Sequence, residues 1–362
     1  MHSLRRVFFA VALLFSALAA RADAVAPGPL GALQTELSTM SMHAPGNVGI
    51  MVEDLTTGLS TSVNANAQMP AASTIKIPVM VEVFKRLEHG DFDLNRKVTL
   101  QASDRDWGSG DLCDAPAGSK YTVSRLLTLM ITVSDNTATN MLIRLVHRGA
   151  INEEMSDLGL TQTSLHDYIR SEGPIRYALR SSANDMVRLM TAMARYQLID
   201  EWSSRAMIAI MSGQHHNGLI PVPLPKGMTI AHKTGELHDT LNDVGVVYLR
   251  SEPYAIAVMS TNLSTLDAGY SFIQGVSRVA YQELVRFSTW RVANDYTATP
   301  FAAAPALPAT ATAVTTATAT NALDAAGNPE RDLQMWTPAN EPANALPVNN
   351  PPAPPADNPP AL

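Results

Sequence analysis

The chain has a single cysteine, Cys113, among its 362 residues. An intrachain disulfide is therefore excluded, and Cys113 stands too far from the N-terminus to carry a lipoprotein anchor. No histidine-containing motif surrounds it, so it reads as a buried or half-buried thiol rather than a nucleophile. Charged residues are scarce at 16%, with a formal net charge of −7. That balance argues against nucleic acid or an anionic membrane surface as partner and leaves small substrates open. Histidines at metal-ligand spacing are missing too. His215, His216, His232 and His238, with Asp239, contain no i, i+4 pair, and no metal is expected from them.

Membrane-length apolar runs are also lacking. Val7 to Ala20 is apolar but shorter than the ~20 residues a spanning helix needs. It follows the basic pair Arg5-Arg6 and precedes Ala22-Asp23-Ala24. Basic start, apolar middle and small-residue end form the pattern of a secretory signal peptide over residues 1–24. Periplasmic or secreted location and no membrane span after cleavage follow as expectations. From residue 296 to 362 the composition shifts to Pro, Ala, Thr and Asn, without hydrophobic period, as in Pro351-Pro352 and Pro354-Pro355. This reads as a disordered, inert tail. Residues 25–295 remain for one folded domain, in a chain apolar enough at 46% to build a large core.

Periodicity organises that domain. A helix is expected over Leu30–Met40, a strand over Asn47–Asp54, a turn at Thr56-Thr57-Gly58 and an antiparallel return over Leu59–Val63. Helices then dominate, over Ser73–Gly90, Thr122–Val133, Thr137–His147, part of Ile151–Leu165, Ser181–Tyr196 and Glu201–Ser212. Strands return at Thr229–Leu237, Val244–Leu249 and Tyr254–Asn262, before a long helix over Ala268–Arg286. Strands at both ends and helices between them predict an α+β fold with its antiparallel sheet built from both termini.

The chemistry centres on Ser73-Thr74-Ile75-Lys76. Residues three apart on a helical turn share a face, which brings the Ser73 hydroxyl within reach of the Lys76 amine. Enclosure and positive neighbours depress a lysine pKa, and such an amine can take the serine proton. At a helix start, the dipole and the Ser73 N–H favour negative charge developing there, as in half of an oxyanion hole. The competing reading is a helix start with a solvated lysine. Lysines are few, however, and only Lys76 has a serine three before it. Ser134-Asp135-Asn136 falls in a tight connection between two helices, where either Ser134 or Asp135 could instead be a simple cap. Lys233-Thr234-Gly235 falls on a strand, where Gly235 allows a close backbone approach and Lys233 could be an ordinary edge lysine. Trp107, in the polar loop Asp104–Gly110, could be a ligand platform or could pin the loop.

Taken together, Ser-x-x-Lys, Ser-Asp-Asn roughly sixty residues on and Lys-Thr-Gly roughly one hundred further form the ordered set of class A β-lactamases and penicillin-binding proteins. From about Leu30 to Phe287 the chain resembles class A β-lactamase-related serine hydrolases. The resemblance implies a sheet flanked by terminal helices, with an all-helical subdomain across the active-site cleft. It makes Ser73 the acylated nucleophile, Lys76 its proton acceptor and Ser134 the relay to the leaving nitrogen. Asn136 would bind the substrate amide, and Lys233 would tune Ser134 and attract a substrate carboxylate that Thr234 binds. The residue after Gly235, Glu236, would supply the second oxyanion N–H. No cofactor is implied, and the substrate would be a small-molecule β-lactam or a peptidoglycan-peptide-like amide, with the protein a monomer.

One departure stands out. The Glu-x-x-Leu-Asn loop of class A enzymes, whose glutamate activates the deacylating water, is missing. The corresponding stretch contains Glu172, the nearest substitute, and Asp167, the next. Glu236-Leu237-His238 also puts an acid near the carboxylate pocket. Three readings stay open: a serine β-lactamase, a penicillin-binding or peptidase-like hydrolase that deacylates slowly, and a non-catalytic cell-envelope binding protein. The intact serine and lysine set speaks against the last.

Overall fold

A computed structural model describes residues 28–171, 178–250 and 252–296. The expected signal peptide lies outside these residues, as do Glu172 and everything after Tyr296. Tyr296 itself, assigned above to the tail, belongs to the folded part, its ring 5.4 Å from that of Trp290.

The chain opens with α1 (Pro29–Met42), β1 (Asn47–Asp54), β2 (Ser60–Val63) and the short β3 (Met69–Pro70). A 3₁₀ turn, Ala72–Ile75, runs directly into α2 (Lys76–Glu88). The middle holds β4 (Lys97–Thr99), β5 (Lys120–Thr122), α3 (Val123–Thr132), α4 (Asn136–Val146) and α5 (Arg148–Asp157). Next come β6 (Ser164–Leu165), β7 (Leu179–Ser181), α6 (Ala183–Ala194) and α7 (Glu201–Ser212). The chain closes with β8 (Ile230–Leu237), β9 (Thr240–Val247), β10 (Tyr254–Thr261) and the 28-residue α8 (Leu266–Ala293).

The main sheet has the order β2-β1-β10-β9-β8, with every neighbouring pair antiparallel. It is built from both ends of the folded chain, as the pattern predicts. Strand periodicity explains its place as the middle layer. Along β10, Tyr254, Ile256 and Val258 share a core with Leu33 and Leu37 of α1 and Ile273 and Val276 of α8. The alternate residues Ala255, Ala257 and Met259 join a second core with Phe84, Leu127, Met141 and Met190 of the helical middle. Both faces are covered, which is why β10 reads as a continuous apolar run.

Several boundaries differ from expectation: α8 runs on to Ala293 rather than Arg286, α2 begins at Lys76 rather than Ser73, and two others follow from bonding. β9 starts at Thr240, earlier than the predicted Val244, because its polar beginning is hidden by bonding rather than by apolarity. Buried Asn242 donates to Pro70 O and Ala71 O at 2.9 and 3.1 Å and accepts from Ser260 N at 3.0 Å. The helix expected from Ser181 starts at Ala183, since Leu179–Ser181 pairs with β3 and β6 and the Ser182 hydroxyl caps the helix. Among the described residues no helix is long and apolar enough to cross a membrane.

Candidate active site

Ser73 does not sit in a regular α-helical turn, as the apolar spacing predicts, but in the tighter turn that precedes α2. Ala72 before it takes φ of 47°, a left-handed conformation unfavourable for a residue with a Cβ, by about 1–2 kcal/mol. The distortion presents the half-buried Ser73 at the N-terminal end of α2, while Thr74, Ile75 and Lys76 are buried around it. Pro78 falls in the first turn of α2, where its missing N–H has no intrahelical partner to lose. Gly235 of β8 abuts this turn. A Cβ at Gly235 would lie 2.9 Å from Ala71 O and 3.0 Å from Ser73 N, so only glycine lets the strand come this close.

Lys76 and Lys233 are both fully buried, and one hydroxyl joins them. Ser134 Oγ is 3.0 Å from Lys76 Nζ and 3.0 Å from Lys233 Nζ. Lys76 also reaches Ser134 O and Asn136 Oδ1, each at 2.6 Å, and Lys233 donates to Thr234 O at 2.9 Å. Burial, reinforced by the neighbouring charge of Lys233, pushes Lys76 well below its ordinary value. Burial brings Lys233 down to about 7, against a smaller upward pull from Asp243. Lys233 is thus held where a neutral form is accessible near neutral pH, and the same burial favours the neutral form of Lys76. Ser134 is the second strained residue, with φ of 58° in the α3–α4 connection. Both sequence readings of that connection hold: Ser134 enters the network, and Asp135 caps α4 by accepting from Ala138 N at 2.7 Å.

Residues that the motifs did not single out complete the wall. Asp106 Oδ1 accepts from Asn136 Nδ2 at 2.7 Å, and its Oδ2 accepts from Ser171 N at 2.6 Å. Burial acts to raise the Asp106 pKa, but the hydrogen bonds from Ser171, Asn136 and Gly108 outweigh it and keep the carboxylate ionised. Asn140, one turn after Asn136 on α4, donates to Ile169 O at 3.0 Å and accepts from Ile169 N at 2.8 Å. This pins the stretch after β6 so that Ile169, itself buried, lines the cavity. The i, i+4 relation of Asn136 and Asn140 was the available sequence signal. Asp167 falls outside the cavity: its side chain is 58% exposed, accepts from Tyr168 N at 2.7 Å and lies 3.8 Å from Arg148. Trp107 is 67% exposed in a loop whose next residues, Gly108 and Ser109, line the cavity. Cys113 is buried, and burial together with nearby Asp114 and Asp135 raises its thiol pKa, as befits an inert side chain.

Ser73, Ser134, Asn136, Thr234 and Glu236 open onto one cavity of about 760 Å³, with Lys76 and Lys233 beneath it. At its far end Glu236 Oε2 accepts from the Tyr270 hydroxyl at 2.8 Å, and His216 and Asp239 also face the space. Of the histidines considered above with His216, His238 also lines the cavity and His232 is buried in bonds of its own. His232 bonds to Asp243 and Asn217, each at 2.9 Å, and His238 is 81% exposed beside Asp239.

A buried lysine pair joined through a serine, and a second serine at a helix start opening onto the same cavity, stand in a chain with the fold of β-lactamase-like serine hydrolases. The chain belongs to the Beta-lactamase enzyme family, whose model matches residues 32–284. Among solved structures it is similar to PBP-A at 30% identity, over 71% of this chain and 97% of that one, with a TM-score of 0.67. A β-lactamase from Sphaerobacter thermophilus matches at 29% identity over 70% of this chain and 96% of that one, with a TM-score of 0.64. The TLA-1 extended-spectrum β-lactamase matches at 19% identity over 71% of this chain and all of that one, at 0.67, a likeness of fold. A mutant of PBP-A, 30% identical over the same spans, is an acyl-enzyme complex with penicillin G.

Proposed function

We propose that this protein is an exported serine hydrolase that opens the β-lactam amide through an acyl-enzyme on Ser73, as class A β-lactamases do. The observation that carries the reading is the Lys76–Ser134–Lys233 network, whose Ser134 opens onto the same cavity as Ser73. A neutral Lys76 amine has two N–H groups and one lone pair, yet three oxygens surround it. With Ser134 O and Asn136 Oδ1 accepting both N–H groups, the lone pair faces the Ser134 hydroxyl at rest and is freed to take the Ser73 proton once that hydroxyl turns to the substrate nitrogen. Ser73 Oγ attacks the carbonyl carbon and passes its proton to Lys76. Lys76 then reprotonates Ser134 as that hydroxyl delivers its proton to the departing nitrogen, so charge and protons balance. Negative charge on the carbonyl oxygen falls to the Ser73 and Glu236 N–H groups, the latter on the residue after Gly235, whose lack of a Cβ lets the strand approach Ser73 N. Asn136 Nδ2 keeps a second N–H for the substrate amide after serving Asp106. Export rests on the N-terminal pattern, and a role in antibiotic resistance would follow from turnover.

A second reading, acylation with slow release as in a penicillin-binding protein, is favoured by Ile169. The described residue that Asn140 presents to the cavity from this stretch is apolar and offers no base to a deacylating water. Asp167 is turned away, which leaves Glu172 as the sequence candidate. Purified protein incubated with a chromogenic cephalosporin separates the readings by intact mass and colour. Rapid colour with transient mass on Ser73 supports the β-lactamase, and then Glu172→Gln should accumulate acyl-enzyme. A stoichiometric burst with lasting mass supports the slow hydrolase. Neither mass nor colour overturns both.

A further inference from the structure

We infer that Asp106 is a positioning residue for acylation: it turns the side-chain amide of Asn136 so that Oδ1 faces Lys76, which leaves the lone pair of the amine for the Ser73 proton. The inference rests on the acyl-enzyme reading and adds a residue to that same site.

Reach comes first. Asp106 stands in the loop before Trp107, and its backbone is clasped by Thr137 of α4, whose hydroxyl accepts from Asp106 N at 3.1 Å and donates to Asp106 O at 3.3 Å. Asn136 N donates to Ser109 O of the same loop at 2.9 Å. The Asp106 side chain is buried, and its acceptor positions are taken. Oδ1 accepts from Asn136 Nδ2 at 2.7 Å and from Gly108 N at 3.0 Å, and Oδ2 accepts from Ser171 N at 2.6 Å and Ser171 Oγ at 3.0 Å. Nothing is left over for a substrate, so Asp106 acts through Asn136.

Polarity comes second. A side-chain amide has an accepting end and a donating end, and an ionised carboxylate only accepts. Asn136 Oδ1 turned to Asp106 would bring two acceptors together with no proton between them, and in a buried site both would go unsatisfied. Asp106 therefore takes the Nδ2 end, and Oδ1 is left 2.6 Å from Lys76 Nζ, where it accepts an N–H. The reversed amide would aim an N–H at Lys76 and occupy the lone pair that the proposed proton transfer uses.

Charge acts in the same place. Lys76 faces Lys233 of β8, Asp135 ahead of α4 and Asp106 of the loop, and His216 is near enough to feel its charge. Burial and Lys233 lower the Lys76 pKa, and Asp135 and Asp106 oppose them. Losing the Asp106 charge and gaining an amide N–H would both lower it further. Asp135 is no substitute, since its carboxylate is engaged with Ala138 N and Leu112 N.

The test replaces Asp106 by asparagine, which keeps the shape and removes the charge, in the parent and in an Asn136→Ala background, with thermal melts checking that each protein folds. Quenched-flow intact mass gives the rate of Ser73 acylation by benzylpenicillin. Carbon NMR of isotope-labelled lysine Cε, assigned with Lys76→Ala, gives the Lys76 titration. Asp106→Asn should acylate roughly ten- to hundredfold more slowly than the parent, as expected for loss of a hydrogen bond to a charged group. In the Asn136→Ala background the same replacement should change the rate by less than about twofold, because the amide it positions is gone. The Lys76 titration should move to lower pH in Asp106→Asn. A residue that only ties the loop to Ser171 would slow both backgrounds equally and leave the Lys76 titration in place. Equal loss in both backgrounds, an unmoved Lys76 titration or no loss at all overturns the inference. If Asp106→Asn does not fold, neutron diffraction from crystals of the parent decides: deuterons on Asn136 Nδ2 directed at Asp106 support the inference, and the reversed amide overturns it. No mass on Ser73 of the parent overturns the acyl-enzyme reading and the role in acylation with it, whichever way the amide points.

Discussion

Replacing Lys233 by methionine keeps most of the side chain's length and removes its amine, and the structure dictates how stability should then depend on pH. In the folded protein Lys233 titrates at about 7, against 10.5 for a free lysine. Between those values the folded state binds fewer protons than the unfolded chain, so stability rises with pH across the window. Below it the cost of the buried charge is present in full. From about pH 7 to about pH 9 the folded protein sheds most of this proton while the unfolded chain retains it, a gain of about 2 kcal/mol for this one group. Full burial of the side chain means that solvent screening does not reduce the figure. Lys76 acts in the same direction, and it is held down in part by Lys233. Lys233→Met should therefore flatten the curve by at least the Lys233 share, since Lys76 recovers some of its ordinary basicity. Urea unfolding at the two pH values measures the gain in parent and variant. An equal gain in both would refute the argument that burial drives the Lys233 proton off near neutrality.

Three further outcomes are expected. Ser73→Ala should abolish labelling by a penicillin, and Lys76→Ala should fold yet acylate roughly a thousandfold more slowly; intact mass and stopped-flow acylation check these, and a Ser73→Ala protein labelled elsewhere would contradict the assignment. Asn140→Ala strips hydrogen bonds from Ile169 N, Ile169 O and Asp104 O in a buried setting, which should destabilise the protein by about 3 kcal/mol. Urea denaturation reads that loss, and a loss under a few tenths would show that the stretch after β6 is held by something else. Deleting residues 297–362 should leave melting temperature and turnover nearly unchanged, because their composition has no apolar pattern with which to add to a core; a drop of many degrees would show that the segment docks.

Much of the architecture was legible because it is written in periodicity. The alternation in β1 and the unbroken apolar run of β10 mark strands covered on one or both faces, and α3 and α4 show their apolar stripes plainly. β9 was half hidden, since burial there is achieved by bonded Asn242 and Asp243 rather than by apolar side chains. The two-residue strands β3 and β6 have no period to detect and exist only through their pairing with β7.

The sequence by itself singled out Ser73, Lys76, Ser134 and Lys233, proposed here as nucleophile, lysine pair and relay, because such chemistry needs those residue types and the chain offers them in a recognisable order. It also determined that the sheet would draw on both ends of the chain. Only the tertiary structure decided how these groups act on each other. Nothing in the spacing says that Ser134 Oγ stands at 3.0 Å from two buried amines, and the displaced lysine pKa values arise from that enclosure. Nor does local sequence show that Asn140 presents Ile169 to the cavity, that Asp167 turns outward, or that Glu236 meets Tyr270 across 34 residues. The reason is physical. Which groups a residue type can supply is local chemistry, whereas desolvation, proton affinity and the sign of a pocket depend on every element packed around it.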